Sequence, residues 1–267
     1  MEFIFWCEFP KQVDWKKLQK ILKDINLKLT VYIAVHSPKD FINWKKKIKK
    51  ETPNIKNLYA WPVLKLKDGY WFSGFTSKEN ITKLQNFKGL NIKLDLEPPF
   101  PGKGYHNLKI ALYILKWITR KAPNTKLLIK TVQDLSHYSH VLVNELPLPE
   151  FILKRSGLHI PKSRNISKNI MTYSSFGEHL RYLLKICLKF VLKQRLRKDK
   201  NISCSLGIAG PGIFGNEPFY KSLKEFKKDI QDAKKLGIKR CAVYSIESFL
   251  NRRNPNAWFS AVKEFSQ

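Results

Sequence analysis

Acidic residues are scarce: the 267-residue chain has 21 Asp and Glu against 50 Lys and Arg, a formal net charge of +29. Such a balance invites an anionic partner, but the cations are mostly lysines spread over every helical segment rather than gathered on one face. With no RNA- or DNA-reading motif present, a specific nucleic-acid reader is not expected. Cysteine is equally sparse. Cys7, Cys187, Cys204 and Cys241 form no Cys-x-x-Cys pair and have no histidine at zinc-site spacing, so they read as small core residues in a reducing compartment. Of the 6 histidines, His137 and His140 could share a helical face, but no third ligand stands nearby, and no metal site is expected. His36, alone after a strand, reads as a hydrogen-bonded structural residue.

Long apolar runs are missing too. No segment approaches the roughly 18 residues of a membrane span, and the first eight residues lack a basic n-region, so neither an anchor nor a signal peptide is expected and a cytoplasmic location is. The glycine-rich turn Gly210-Pro-Gly-Ile-Phe-Gly215 has neither a Walker-type Lys-Ser/Thr ending nor the Gly-x-Gly-x-x-Gly order, which removes a nucleotide site; no cofactor is expected. Repeats and low-complexity linkers are absent, and a single domain over residues 1–267 follows.

What the chain does have is a core: 43% hydrophobic and 13% aromatic residues mark a globular protein. Apolar alternation predicts strands at Glu2–Phe9, Leu27–Val35, Leu58–Lys65, from Asn91 to Glu97, and at Lys126–Val132, Asn169–Ser174, Ser203–Ala209 and Arg240–Ile246. Helical spacing predicts helices over Val13–Lys23, Lys39–Lys50, from Ser77, and over Tyr105–Lys121, Gly177–Lys198, Tyr220–Leu236 and Ala257–Phe265. A less regular segment at about 135–168 reads as helical over His137–Leu146, with a short strand at Gly157–Ile160. Eight strands alternating with helices predict an α/β fold, a closed (β/α)8 TIM barrel, whose usual size is roughly 250 residues. A doubly wound open sheet is the alternative.

In a barrel the chemistry sits at the C-terminal strand ends. Those ends carry Glu8, His36, Trp61 with Trp71, Asp95 with Glu97, Asp134, Tyr173, Glu217 and Glu247. In so basic a chain, carboxylates at most of these ends mark the rim as a site. Asp95 and Glu97 share a strand face, where one can set the protonation of the other. Aromatic faces beside carboxylates suit a sugar ring and its glycosidic oxygen. Burial under the third loop is the competing reading for the two tryptophans. Arg181, Lys185, Lys189, Lys193 and Arg197 form a cationic stripe with two readings: a contact for an anionic surface, or the solvated outer face of an ordinary barrel helix.

Asp95-Leu-Glu97 on strand four, Met171-Thr-Tyr173 on strand six, Leu206 to Gly215 after strand seven and Val243-Tyr-Ser-Ile-Glu247 on strand eight together resemble the family 18 glycoside hydrolases, the chitinase-like barrels. Leu90 and Lys93 stand where that family's fuller strand-four signature has two further aspartates, and Tyr244 or Glu247 replaces its strand-eight tryptophan. The resemblance implies Glu97 as general acid, with Asp95 orienting a 2-acetamido group and stabilising an oxazolinium, and Tyr173 bonded to the same group. Glu8, Trp61, Trp71, Glu217 and Glu247 would contact the carbohydrate. Without the resemblance, the residues still offer a two-carboxylate hydrolase, with Glu97 as acid and Glu217 or Glu247 as nucleophile or base. The expected protein is thus a monomeric glycoside hydrolase acting on an oligosaccharide or glycoconjugate; a non-catalytic barrel that binds a glycan or another polyanion is the alternative.

Overall fold

The computed structural model describes residues 1–102, 112–113, 115–117, 119–175, 181–215 and 217–266, with the backbone alone of residues 181 and 182. Its strands are β1 (Glu2–Cys7), β2 (Leu29–Val35), β3 (Ile55–Pro62), β4 (Ile92–Leu96), β5 (Val141–Glu145), β6 (Ile166–Met171), β7 (Ser203–Ser205) and β8 (Arg240–Tyr244). They pair in chain order, all parallel, and β1 closes on β8 from Glu2 opposite Arg240 to Trp6 opposite Tyr244. The expected (β/α)8 barrel is the fold.

Alternation along the strands builds two cores. Outward residues such as Phe5, Val31, Leu94 and Val143 pack under the surrounding helices. Inward ones, Ile4, Trp6, Tyr32, Trp61, Leu142, Ala242 and Tyr244, fill the barrel. The period of two therefore sends Lys93, Asp95 and Glu97 along the inner face of β4 and its exit, while Ile92, Leu94 and Leu96 anchor that strand from outside.

The helices begin where the chain supplies caps. Asp14 accepts from the Lys17 amide ahead of α1 (Trp15–Asp24), Ser37 from Asp40 ahead of α2 (Pro38–Glu51), and Ser77 from Asn80 ahead of α3 (Lys78–Lys83). Each such cap is worth about 1 kcal/mol. Next come α4 (Thr125–Ser136), α5 (Glu150–Arg155), α6 (Arg181–Lys198), α7 (Leu223–Lys235), the short α8 (Ile246–Leu250) and α9 (Pro255–Phe265). The helix expected over Tyr105–Lys121 lies mostly outside the described residues.

Strand five is displaced from its expected place. Lys126–Val132 belongs to α4, because Leu128, Thr131, Val132 and Leu135 recur at helical spacing and bury one face. The fifth strand is Val141–Glu145 instead, buried at every position as a central parallel strand is. Asp134 consequently sits in the last turn of α4, away from the rim. His137 follows that helix, while His140 lies beyond it and bonds Ser167 Oγ at 2.8 Å, so the two do not share a helical face. Gly157–Ile160 is turn and coil.

The cationic stripe is also altered. Lys185 Nζ lies 2.5 Å from Asp229 and Lys189 Nζ 3.0 Å from Asp232, both on α7, so these two lysines clamp neighbouring helices and are half-buried rather than free. Lys193 and Arg197 are exposed, and the Arg181 side chain is outside the described residues. The apolar residues of this helix are split: Leu188 and Leu192 are buried, whereas Leu183, Ile186, Cys187 and Phe190 face solvent.

Candidate active site

The C-terminal rim gathers seven of the expected residues, Glu8, Trp61, Trp71, Asp95, Glu97, Tyr173 and Glu217, around one cavity of about 470 Å³, which Tyr244 at the end of β8 also lines. Glu247 borders an adjoining groove of about 1300 Å³, which shares Glu8 and Ile213 with the first. The common rim is thus as expected for Glu8, Glu97, Tyr173 and Glu247, with Glu247 on α8 one step past its strand. Asp134 is absent from both.

The centre is the inner face of β4. Asp95 accepts from Lys93 Nζ through Oδ2 at 2.9 Å and from Asn144 Nδ2 through Oδ1 at 2.6 Å, so both of its oxygens are held from below and from β5. Lys93 is 1% exposed, and its ammonium sits 3.2 Å from the Trp61 ring centroid and 4.2 Å from that of Trp6. Two indoles and one carboxylate replace the water a lysine would otherwise need. Burial drives the Lys93 pKa down, and the charge of Asp95 opposes the shift.

Glu97 is only partly covered and opens to the cavity. Its backbone N–H donates to Phe72 O at 3.2 Å, which pins the β4 exit to the third loop. Loss of hydration raises its pKa well above the usual carboxylate range, and the negative charge of Asp95 raises it further. A carboxyl whose pKa is raised in this way, facing a cavity, suits the giving of a proton to a leaving oxygen.

Glu8 has a different surrounding. The Tyr244 hydroxyl donates to its Oε2, and burial pushes its pKa to about 8 against the bonds from Tyr244 and Tyr70. This shift has a sign. Below about 4.5 the folded and unfolded chains both hold the proton; from there up to about 8 the unfolded chain releases it while the folded one keeps it, so stability falls with rising pH through that window. The slope is at most about 1.4 kcal/mol per pH unit. Glu8→Gln is expected to flatten the decline, measured by urea unfolding across the window; an unchanged decline would show that other groups cause it.

Glu217 and Glu247 are occupied otherwise. Glu217 accepts from the Gly212 amide at 2.9 Å and the Phe214 amide at 2.8 Å, stapling the turn after β7. Only glycine fits at 212, since a Cβ there would lie 2.3 Å from the Tyr244 hydroxyl. Glu247 accepts from the Glu8 and Phe9 amides at 2.9 and 3.2 Å, tying the β1 exit to β8. Both carboxylates position backbone that carries other site residues. That use weakens their candidacy as nucleophile or base.

The aromatics are largely buried. Trp61 is 2% exposed and Trp71 8%. Lys93 covers one face of Trp61, while Trp71 packs against Tyr70, Phe100 and Phe214 with centroids 5.6, 5.6 and 5.9 Å away. Both still line the cavity, and the Trp61 Nε1–H has no acceptor among the described residues. Tyr173 stands across from β4, its ring 6.4 Å from Tyr244, and burial first, then the charges of Asp95 and Glu97, raise its hydroxyl pKa. His36 Nδ1 is 3.0 Å from Val63 O, the structural bond expected of it. Among the described residues no cluster of three or more His, Cys, Asp or Glu side chains could hold a metal ion.

Sequence reasoning passed over Asn144, because strand five had been placed too early. The signal was the run Val141-Leu-Val143, too short and too β-branched for a helix, ending in a polar pair. Lys93 was visible only as a departure from a signature.

No family model matches the sequence, and no curated protein matches it. Solved structures do. The glycoside hydrolase domain of PgaB (BpsB) from Bordetella bronchiseptica is 11% identical, with 96% of this chain and 97% of that one aligned at a TM-score of 0.59. The catalytic domain of a hyperthermophilic chitinase from Pyrococcus furiosus is 11% identical over 99% and 94%, TM-score 0.51, and a family 18 chitinase from Crocus vernus is 14% identical over 99% of each chain, TM-score 0.50. A Schiff-base-forming fructose-1,6-bisphosphate aldolase aligns equally well, 12% identical at TM-score 0.50, so the shared barrel does not by itself choose a chemistry. The chain has the fold of the family 18 chitinases and of the PgaB glycoside hydrolase domain, at the sequence distance of a remote relative.

Proposed function

We propose that this barrel is a glycoside hydrolase, with Glu97 as its general acid. The observation that carries the reading is the pairing of Glu97, raised in pKa by burial and open to a cavity at the C-terminal rim, with Asp95, held on the same strand face by Lys93 and Asn144. The raised pKa keeps a proton available, and the fixed carboxylate beside it can stabilise positive charge as the glycosidic bond breaks. Tyr173 adds a hydroxyl to the same cavity. With Glu217 and Glu247 committed to backbone amides, a substrate-assisted route in which a 2-acetamido oxygen acts as nucleophile needs fewer protein groups than a two-carboxylate one. In that route Asp95 orients the acetamido group and Tyr173 bonds it.

A panel of nitrophenyl glycosides with and without a 2-acetamido group tests the reading. Release of nitrophenol from the acetamido sugars, with little from their 2-hydroxy counterparts, is the expected result. Equal rates on both would remove substrate assistance, and no hydrolysis of any member would favour a barrel that binds glycans without cleaving them.

A further inference from the structure

The two halves of the rim differ in chemistry. The groove on the side of β1, β2 and β8 mixes apolar residues such as Trp44 and Phe219 with polar and charged ones, among them Gln12, His36, Asp40 and Arg252. Across Glu8 and Ile213, which border both spaces, the cavity holding Glu97 changes character. Beyond the acids and tyrosines its described wall is apolar, with Trp61 and Trp71 near the acids, then Leu146 and Pro147 after β5, Leu184 and Leu188 from α6, and Ile213 with Phe214 after β7. A site for a glycan on both sides of the cleaved bond would spend polar groups on both sides, because sugar hydroxyls left unpaired against such a wall are costly. Apolar walls with a few convergent polar groups instead bind an apolar body and orient one polar end.

The apolar surface does not stop at the cavity. On α6, Leu184 and Leu188 face the cavity at a spacing of four, and the neighbouring strip of that helix exposes Leu183 (59%), Ile186 (48%) and Phe190 (62%). An ordinary barrel helix turns polar residues outward; this one carries apolar residues from the cavity wall round to solvent.

Resting on the hydrolase reading, we propose that the substrate is an amphiphile, a glycan head joined to an alkyl-type aglycone. The sugar at the cleaved bond sits over Asp95 and Tyr173, with the rest of the head reaching past Glu8 toward the adjoining groove, and the alkyl chain leaves the bond at Glu97 between the loops after β5 and β7 and against α6. Glu97 gives its proton to the oxygen that the chain carries, water completes the hydrolysis, and a free sugar and an alcohol with an apolar tail depart.

The test separates binding from turnover. Affinities of Glu97→Gln for methyl, hexyl and decyl glycosides of N-acetylglucosamine and of glucose, below their micelle concentrations, are measured by calorimetry. Burial of methylenes strengthens binding by about fourfold each at most, and a decyl chain is expected to bind at least about 100-fold more tightly than methyl. Leu184→Asp, and separately Phe214→Ser, should cut that ratio by about tenfold or more, with far-UV circular dichroism verifying folding; Phe190→Ser, on the outer strip, should leave it intact. An affinity independent of chain length overturns the proposal. So does a ratio untouched by both wall variants, or one abolished by Phe190→Ser, which would place the chain on the outside of the helix. Chain-length-dependent binding through the wall residues without hydrolysis by the wild type would uphold the apolar subsite and refute the hydrolase reading instead.

Discussion

Glu97→Gln is expected to lower turnover of an unactivated glycoside by about 10²- to 10⁴-fold while changing its binding little, the usual worth of a general acid. The amide keeps the size of the carboxyl and can donate a hydrogen bond from the same place, but it cannot release a proton. The neighbouring carboxylate supplies a second measurement. Burial first, and then the negative charge of Asp95, raise the Glu97 pKa. In Asp95→Asn the charge is gone, the Glu97 pKa falls, and the loss of rate on the alkaline side should move to lower pH. A Glu97→Gln enzyme with full activity on a poor-leaving-group glycan would make Glu97 structural.

Lys93→Met should be among the most destabilising single changes available in the barrel interior. The ammonium is enclosed by Trp6, Trp61 and Asp95, and the ion pair is 1% and 5% exposed at its two side chains. Removing one partner of a buried pair leaves the other charge uncompensated, which costs about 3–5 kcal/mol. Asn144 Nδ2 would still donate to Asp95. Methionine fills most of the lysine volume, so a cavity contributes little. Lys93→Met with Asp95→Asn should recover much of the loss, since two neutral groups carry no such penalty. Urea unfolding of the two variants and the wild type distinguishes these outcomes: a Lys93→Met protein as stable as the wild type would mean that the pair contributes nothing, and a double variant no better than the single would place the cost in packing.

The barrel was legible because its strands are marked by short apolar runs with polar exits and its helices by caps and spacing. Ser77 marked the start of α3, and spacing marked α1 and α2, which Asp14 and Ser37 cap. The failure at strand five has a physical cause. Leu127 to Val132 carries the Ile, Thr and Val that favour strands, yet its buried residues recur at three and four, and tertiary packing followed the period rather than the propensity. The error hid Asn144, which completes the hold on Asp95. The rim acids were legible as positions, since a strand exit is readable from sequence. Their separate tasks were not: whether a carboxylate faces a cavity, as Glu97 does, or accepts two backbone amides, as Glu217 and Glu247 do, depends on loop conformations that local sequence does not dictate. For the cationic stripe, spacing placed the lysines correctly on one helix, while the acids that bind two of them lie on α7, some forty residues onward.

The central claim, a proton given by Glu97 to a glycosidic oxygen, is tested most directly by how the wild-type to Glu97→Gln ratio of kcat/KM depends on the leaving group. Nitrophenolates need little protonation and alcohols or sugars need much. The account predicts a ratio near the top of the 10²- to 10⁴-fold range for an alkyl or sugar leaving group, shrinking steeply for nitrophenol. The same ratio for every leaving group would contradict it.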